Sequence, residues 1–189
     1  FIFISILSFG QNQGNVWFFG QYAGITFNTN PPTALAGGQL TTTEGCSGIS
    51  DATTGNLLFY TDGITVWDKN NNPMPSSVAT PLNGDPSSTQ SGVVVPLPGN
   101  PNIYYVFTTP AQLGSWTFTQ SSLCYSIVDM SLNGGNGDVT TTNVPIMDST
   151  TEKIAAVGGC NSLEYWIVGH RWNCDSFYAF KLTAAGLSA

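Results

Sequence analysis

Charge is what this chain has least of. Only 8% of its 189 residues are Asp, Glu, Lys or Arg, against about a quarter in an average soluble domain. Lys69, Lys153, Arg171 and Lys181 are its only strong bases, set against eleven acids, and the formal net charge is −7. A nucleic-acid reader needs a basic patch to displace counterions from phosphates. Four scattered cations do not make one. An anionic lipid surface is disfavoured on the same ground. Histidine is almost missing, with His170 alone. Cys46, Cys124, Cys160 and Cys174 include no Cys-x-x-Cys, so no zinc set can be read from the sequence. There is no nucleophile elbow around a Ser or Cys, and no EF-hand loop or Gly-Asp nonapeptide array. No window carries an apolar stripe at helical period, so almost no helix is expected.

Long apolar runs are missing too. A helix that spans a bilayer takes about 20 apolar residues, and the stretch Phe1 to Phe9 has nine. That stretch fits the back half of a signal-peptide hydrophobic region, with small residues at Ser8 and Gly10 before a cleavage point. Residues 1–10 are therefore expected to be a signal remnant and 11–189 the mature domain, with no membrane insertion after cleavage. A buried first strand is the other reading of the same residues. The charged leader is absent, so the chain is expected to be clipped at its start.

What is present is β-forming and aromatic. Hydrophobic residues make up 41% of the chain, enough to build a core. Ser, Thr, Asn, Gln and Gly must carry the polar surface, a mix that suits secreted and cell-surface β proteins. Asn56 to Asp68 reads as an apolar run, a tight Asp62-Gly63 turn and a second apolar run. Looser copies follow at Ile103 to Met130 and Glu164 to Leu182, and a truncated copy lies at Asn15 to Asn28. A period of roughly 40–50 residues built from short strands points to a propeller or another β-array. Ile49 and Phe59, Val95 and Tyr105, and Ala156 and Trp166 all stand ten apart. Phe59, Tyr105 and Trp166 thus become the repeat's core aromatics, each mid-strand. A strand such as Leu57-Leu58-Phe59-Tyr60 is apolar on both faces and must be covered on both. Radially packed sheets supply that cover. The expected fold is all-β, a partial β-propeller of about three four-stranded blades plus an incomplete N-terminal blade. The chain would then stop short of a closed ring. A β-sandwich of short strands is the alternative.

Sequence alone leaves several candidate sites open. Asp62-Gly63 resembles the turn of a sialidase-type Asp-box with the spacing off by one, and reads best as a turn lock. Sialidase chemistry needs an arginine clamp, and Arg171 is the one arginine. Glu44, Asp51, Asp62, Asp85, Asp129, Asp138, Glu152 and Glu164 offer carboxylate pairs, none singled out by spacing. Ser87 to Ser91 is a polar cluster that reads as a solvated loop before it reads as a sugar site. His170-Arg171-Trp172 reads as a turn. Tyr22, Trp116, Phe118 and Trp172 make either a glycan platform or padding between sheets. Calcium has oxygen ligands near Asp138 and in the Asp51/Asn56 turn, but Gly-Asn turns of this kind carry no such assignment by themselves. The cysteines are either disulfide-forming, with Cys160 and Cys174 facing each other across neighbouring strands, or small buried hydrophobes.

The wording resembles a known group. Trp17-Phe18-Phe19-Gly20 with Ala23 to Asn28, Gly55 to Gly63, Ser88-Thr89-Gln90-Ser91 before Val95-Pro96-Leu97-Pro98, Tyr125 to Met130 and Tyr165 to Val168 carry the likeness. It is similar to the N-terminal β-propeller-like region of large exported Bacteroidetes surface proteins. Proteins of that group often continue into PKD-like modules and a C-terminal sorting domain of the type IX secretion system, of the gliding-motility-associated kind. The resemblance implies a secreted or outer-cell-surface location for the parent protein. It transfers no catalytic residues and no cofactor. The expected function is noncatalytic binding in adhesion, to an extracellular polysaccharide or protein. An extracellular propeller glycan hydrolase or lyase is the rival reading, and a spacer domain the third.

Overall fold

The computed structural model describes residues 12–111, 122–160 and 163–188. The candidate signal remnant at 1–10 lies outside the described residues, as do Trp116 and Phe118. Within them the protein is all-β. The strands form four antiparallel meanders that follow one another along the chain. Sheet I holds β1 (Val16–Phe19), β2 (Ala23–Thr26) and β3 (Thr33–Leu35). Sheet II holds β4 (Ser47–Ser50), β5 (Leu57–Thr61) and β6 (Val66–Asp68). Sheet III holds β7 (Gly92–Pro96), β8 (Ile103–Thr108), β9 (Leu123–Asp129) and β10 (Asp138–Met147). Sheet IV holds β11 (Thr150–Gly158), β12 (Glu164–Arg171), β13 (Phe177–Thr183) and β14 (Gly186–Ser188). The first strands line up: β1 packs against β4, β4 against β7 and β7 against β11.

Strand count differs from the expectation of three four-stranded units and an incomplete one. Two sheets have three strands and two have four. Beyond β6, Pro73 makes only a lone bridge with Trp67. The chain then enters the short helix α1 (Pro75–Ala79), with proline in its first turn, where the missing N–H has no partner to lose. In the truncated first copy β1 itself takes the inner place, beside β4. After the turn at Thr183, β14 returns as an outer strand. His170 and Arg171 finish β12 and do not belong to the turn.

Period-two alternation gives each sheet a leading face, toward the next sheet in the chain, and a trailing face. Val16 and Phe18 of sheet I meet Tyr60 of sheet II. Ile49, Phe59 and Val66 of sheet II meet Tyr104, Val106 and Val128 of sheet III. Val95, Tyr105, Phe107 and Leu123 of sheet III meet Ile154, Ile167, Phe180 and Leu182 of sheet IV. Phe59 and Tyr105 are both buried on leading faces of middle strands. Trp166 alternates with the buried Ile167, so it too stands on a leading face, where it is 36% exposed.

Two of the ten-residue spacings, Ile49 to Phe59 and Val95 to Tyr105, coincide with cross-strand pairs. The third spacing does not: Trp166 pairs with Val157, and Ala156 pairs with Ile167. The connection is one residue shorter there, and a one-residue slip moves Ala156 to the opposite face. Val157 therefore takes the place that Ile49 and Val95 hold in the earlier sheets.

Candidate binding groove

The first strands border a hollow of about 630 Å³. Ile49 of β4, Val93 to Pro96 of β7, Ala156 to Gly158 of β11, Gln13 and Tyr165 line it. A second hollow of about 440 Å³ shares Gln13, Pro96 and Tyr165 with the first. It runs out over the Asp51 and Pro98 turns, with Tyr104 among its walls. Together they make one groove, from the line of first strands to a set of turns. Of the residues lining the two hollows, Asp51 alone is charged. Its Oδ1 accepts from the backbone amides of Thr53 and Thr54 at 3.0 and 2.7 Å and from the Thr54 hydroxyl at 2.9 Å. The Thr54 donors are the largest cause holding its carboxyl below the ordinary range. The Tyr104 hydroxyl donates to the Pro101 carbonyl at 3.0 Å, fixing the turn at the groove's outer end.

The polar cluster read as a solvated loop is a clasp. Ser88 and Ser91 are fully buried. The Ser91 hydroxyl donates to the Asp62 carbonyl. Ser88 Oγ and Thr109 Oγ1 share a hydrogen bond of 3.0 Å. Gln90 Oε1 accepts from the Ile154 amide at 2.8 Å. Glu152 accepts from the Thr89 amide and hydroxyl at 2.9 and 2.8 Å. One five-residue segment thus ties sheet II to the end of sheet III and to the first strand of sheet IV. Replacing Gln90 with Ala leaves the Ile154 amide unpaired, a loss of about 1–3 kcal/mol, and denaturant unfolding is expected to show it without a change in slope.

Asp62 and Gly63 act as a turn. Asp62 Oδ1 accepts from the Ile64 and Thr65 amides, both at 2.8 Å, and Gly63 has φ +86. Burial, the largest cause, lifts the Asp62 carboxyl above its ordinary range. The folded chain therefore binds this proton more tightly than the unfolded one, and the group's contribution to stability falls as pH rises through the window between the two values. Asp62→Asn keeps the acceptor and removes the titration. The difference in unfolding free energy between variant and parent is expected to grow in the variant's favour as pH rises above the ordinary carboxylate value of 3.8.

Other candidates are placed elsewhere. Cys160 and Cys174 are free and exposed. They flank opposite ends of β12, an eight-residue strand spanning roughly 26 Å. The bridge read from the sequence is therefore not formed, since linked Cα atoms lie within about 7 Å. Cys124 is buried and Cys46 half-buried, both free. The His170 ring packs against Phe177, tilted by 45° with ring centroids 4.6 Å apart. Arg171 pairs with Asp148 at 3.0 Å on the surface. Asp85 and Asp129 accept from amides two residues on, at Ser87 and Ser131. Asp138 accepts from the amide and hydroxyl of Ser76 at the start of α1. Glu164 pairs with Lys181 at 2.6 Å. Among the described residues no three His, Cys, Asp or Glu side chains gather into a metal-holding group. No described helix is long and apolar enough to cross a membrane.

These features define an all-β protein of stacked antiparallel meanders with a nearly uncharged groove along their first strands. No family model, no curated protein and no solved structure matches the chain.

Proposed function

We propose that this chain is a noncatalytic β-propeller module of an exported surface protein, and that it binds an uncharged extracellular polymer, a polysaccharide or protein segment, in adhesion. The observation that carries the reading is the groove itself. Four consecutive meanders bring their first strands side by side, as blades do around an axis. The hollow they border is lined by backbone, small aliphatic side chains, Tyr165 and the amide of Gln13. With no cation in its lining, the groove suits neutral hydroxyl- and amide-bearing ligands and not phosphates or sulfates. Secretion, outer-surface display and the type IX route belong to this proposal through the sequence resemblance.

Binding to a neutral-glycan array and pull-down from a native cell surface test it. The parent is expected to retain a ligand that Tyr165→Ala and Gln13→Ala lose by about tenfold each, the size of one lost contact. Empty arrays and empty pull-downs overturn the binding reading. Cleavage of a retained glycan replaces it with a hydrolase or lyase.

A further inference from the structure

Two walls of the groove are open sheet edges. β7 and β11 each stand at an edge of their sheet, and an antiparallel edge strand aims the N–H and C=O of alternate residues away from its partner. On β7 the Leu97 amide donates to Ile103 and the Thr109 amide to Ser91, which sets Leu97, Val95 and Val93 toward β8. Val94 and Pro96 therefore aim outward, and the Val94 amide donates to Ser47 Oγ at 3.3 Å. On β11 the Gly159 amide donates to Glu164, which sets Gly159, Val157 and Ala155 toward β12. Ile154, Ala156 and Gly158 aim outward, and the Ile154 amide is the one that Gln90 accepts. Val94, Pro96, Ala156 and Gly158 all line the larger hollow.

The two edges differ in what they offer. Pro96 has no N–H and the Val94 N–H is taken, so the β7 edge presents carbonyls. Among the described residues the outward amides and carbonyls of Ala156 and Gly158 have no protein partner, so the β11 edge presents donors and acceptors together. Asp51 adds another acceptor, because its turn bonds all fall on Oδ1 and leave Oδ2. Resting on the reading of this groove as the site for an uncharged polymer, we infer that the polymer is a neutral polysaccharide and not a protein strand. An extended peptide can add to the β11 edge by pairing with Ala156 and Gly158. Its far edge then offers carbonyls as often as N–H groups to β7, where no N–H answers them, and an unpaired carbonyl is costly. A hydroxyl donates one bond, accepts two and rotates to suit, so a polyol satisfies both edges. Tyr165 gives the groove a flat apolar wall for the C–H face of a sugar ring. It is shared by both hollows, as are Gln13 and Pro96, so the occupant runs on from one into the other, as a chain of sugars does.

The full chain is applied to a neutral-glycan array and to an array of uncharged peptides rich in Ser, Thr and Val. Retention on a glycan is expected, and none on the peptides. Gly158→Pro deletes one outward N–H and leaves the β11–β12 ladder whole, in a setting where an edge strand tolerates proline. It is expected to weaken binding of the retained glycan by about tenfold, the size of one lost contact. Gly158→Ala keeps the N–H, and its methyl would meet the Tyr165 ring at an ordinary 3.8 Å. It is expected to keep the parent's affinity. Amide hydrogen exchange on the parent gives the same reading if the proline variant fails to fold: bound glycan is expected to slow exchange at Ala156 and Gly158. Retention on the peptides, with or without glycans, overturns the inference and leaves the groove as a site for an uncharged polymer. So does a glycan that the parent and Gly158→Pro bind equally, that Gly158→Ala loses as much as Gly158→Pro, or that slows neither amide. Retention on neither array overturns both readings.

Discussion

Gly63→Ala is expected to lower the unfolding free energy by about 3 kcal/mol or more, among the largest losses open to a single methyl group here. Two causes add. Gly63 sits at φ +86, left-handed backbone where a side chain costs about 1–2 kcal/mol. A Cβ there would also lie 2.6 Å from the Ser91 carbonyl oxygen and closer still to its hydroxyl. Overpacking of that kind costs about 1–3 kcal/mol. Escape is blocked, because Gly84 presses on Gly63 from another side: a Cβ on Gly84 would meet the Gly63 carbonyl oxygen at 2.5 Å. The clasp must open or the Asp62 turn must move. Thermal unfolding is expected to fall by roughly 6–12 °C, at about 2–4 °C per kcal/mol for a chain of this size. Gly134→Ala is the control. It has φ +65 with nothing within 4 Å of the added methyl, so only the backbone strain of about 1–2 kcal/mol applies. Equal losses at the two sites would show that the close approach to Ser91 has no weight.

Gly63 also shows what could be read from the sequence and what could not. The Asp62-Gly63 turn is legible because its chemistry is local: a carboxylate takes the amides two and three residues ahead, and glycine supplies the positive φ. Strands β5, β8 and β12 are legible because runs apolar on both faces have few other uses. The thinner elements are not. β3 has one apolar residue of size, Leu35, and nothing in Thr33-Ala34-Leu35 sets it apart from a loop. The clasp was hidden because Ser88 and Ser91 look solvated, and their burial comes from distant partners, Thr109 and the Asp62 carbonyl. A trace of it is present as glycine at 45, 63, 84 and 92, since small residues gather where backbones approach. Cys160 and Cys174 misled because spacing in the chain says nothing of which end of a strand a residue caps. The groove was illegible altogether. Gln13, Ile49, Pro96 and Tyr165 meet only because the first strands line up, a fact of sheet stacking that no local pattern records.

Phe59→Ala is expected to cost about 3–5 kcal/mol, the range for removing a buried phenyl ring. Phe59 is 0% exposed, set on the leading face of sheet II between Ile49 and the side chains of sheet III. It meets Tyr104 edge to face, with centroids 5.5 Å apart and planes at 81°, a geometry worth about 0.5–1.5 kcal/mol beyond area. Close packing on both sides leaves little room for collapse into the space, so a cavity persists and adds to the loss. Trp166 holds the equivalent place on sheet IV, with Val157 and Lys181 as its strand neighbours. It loses the larger ring on truncation, yet Trp166→Ala is expected to cost under about 2 kcal/mol in dilute solution, because the face is open and the lost burial is partial. Urea unfolding of both variants measures the gap. The two positions share strand, face and pairing, so the gap reports the covering sheet and not the intrinsic preference of an aromatic for a strand. Equal losses would mean that each sheet stabilises its own aromatic, and the stacking of one meander on the next would no longer explain why this chain folds.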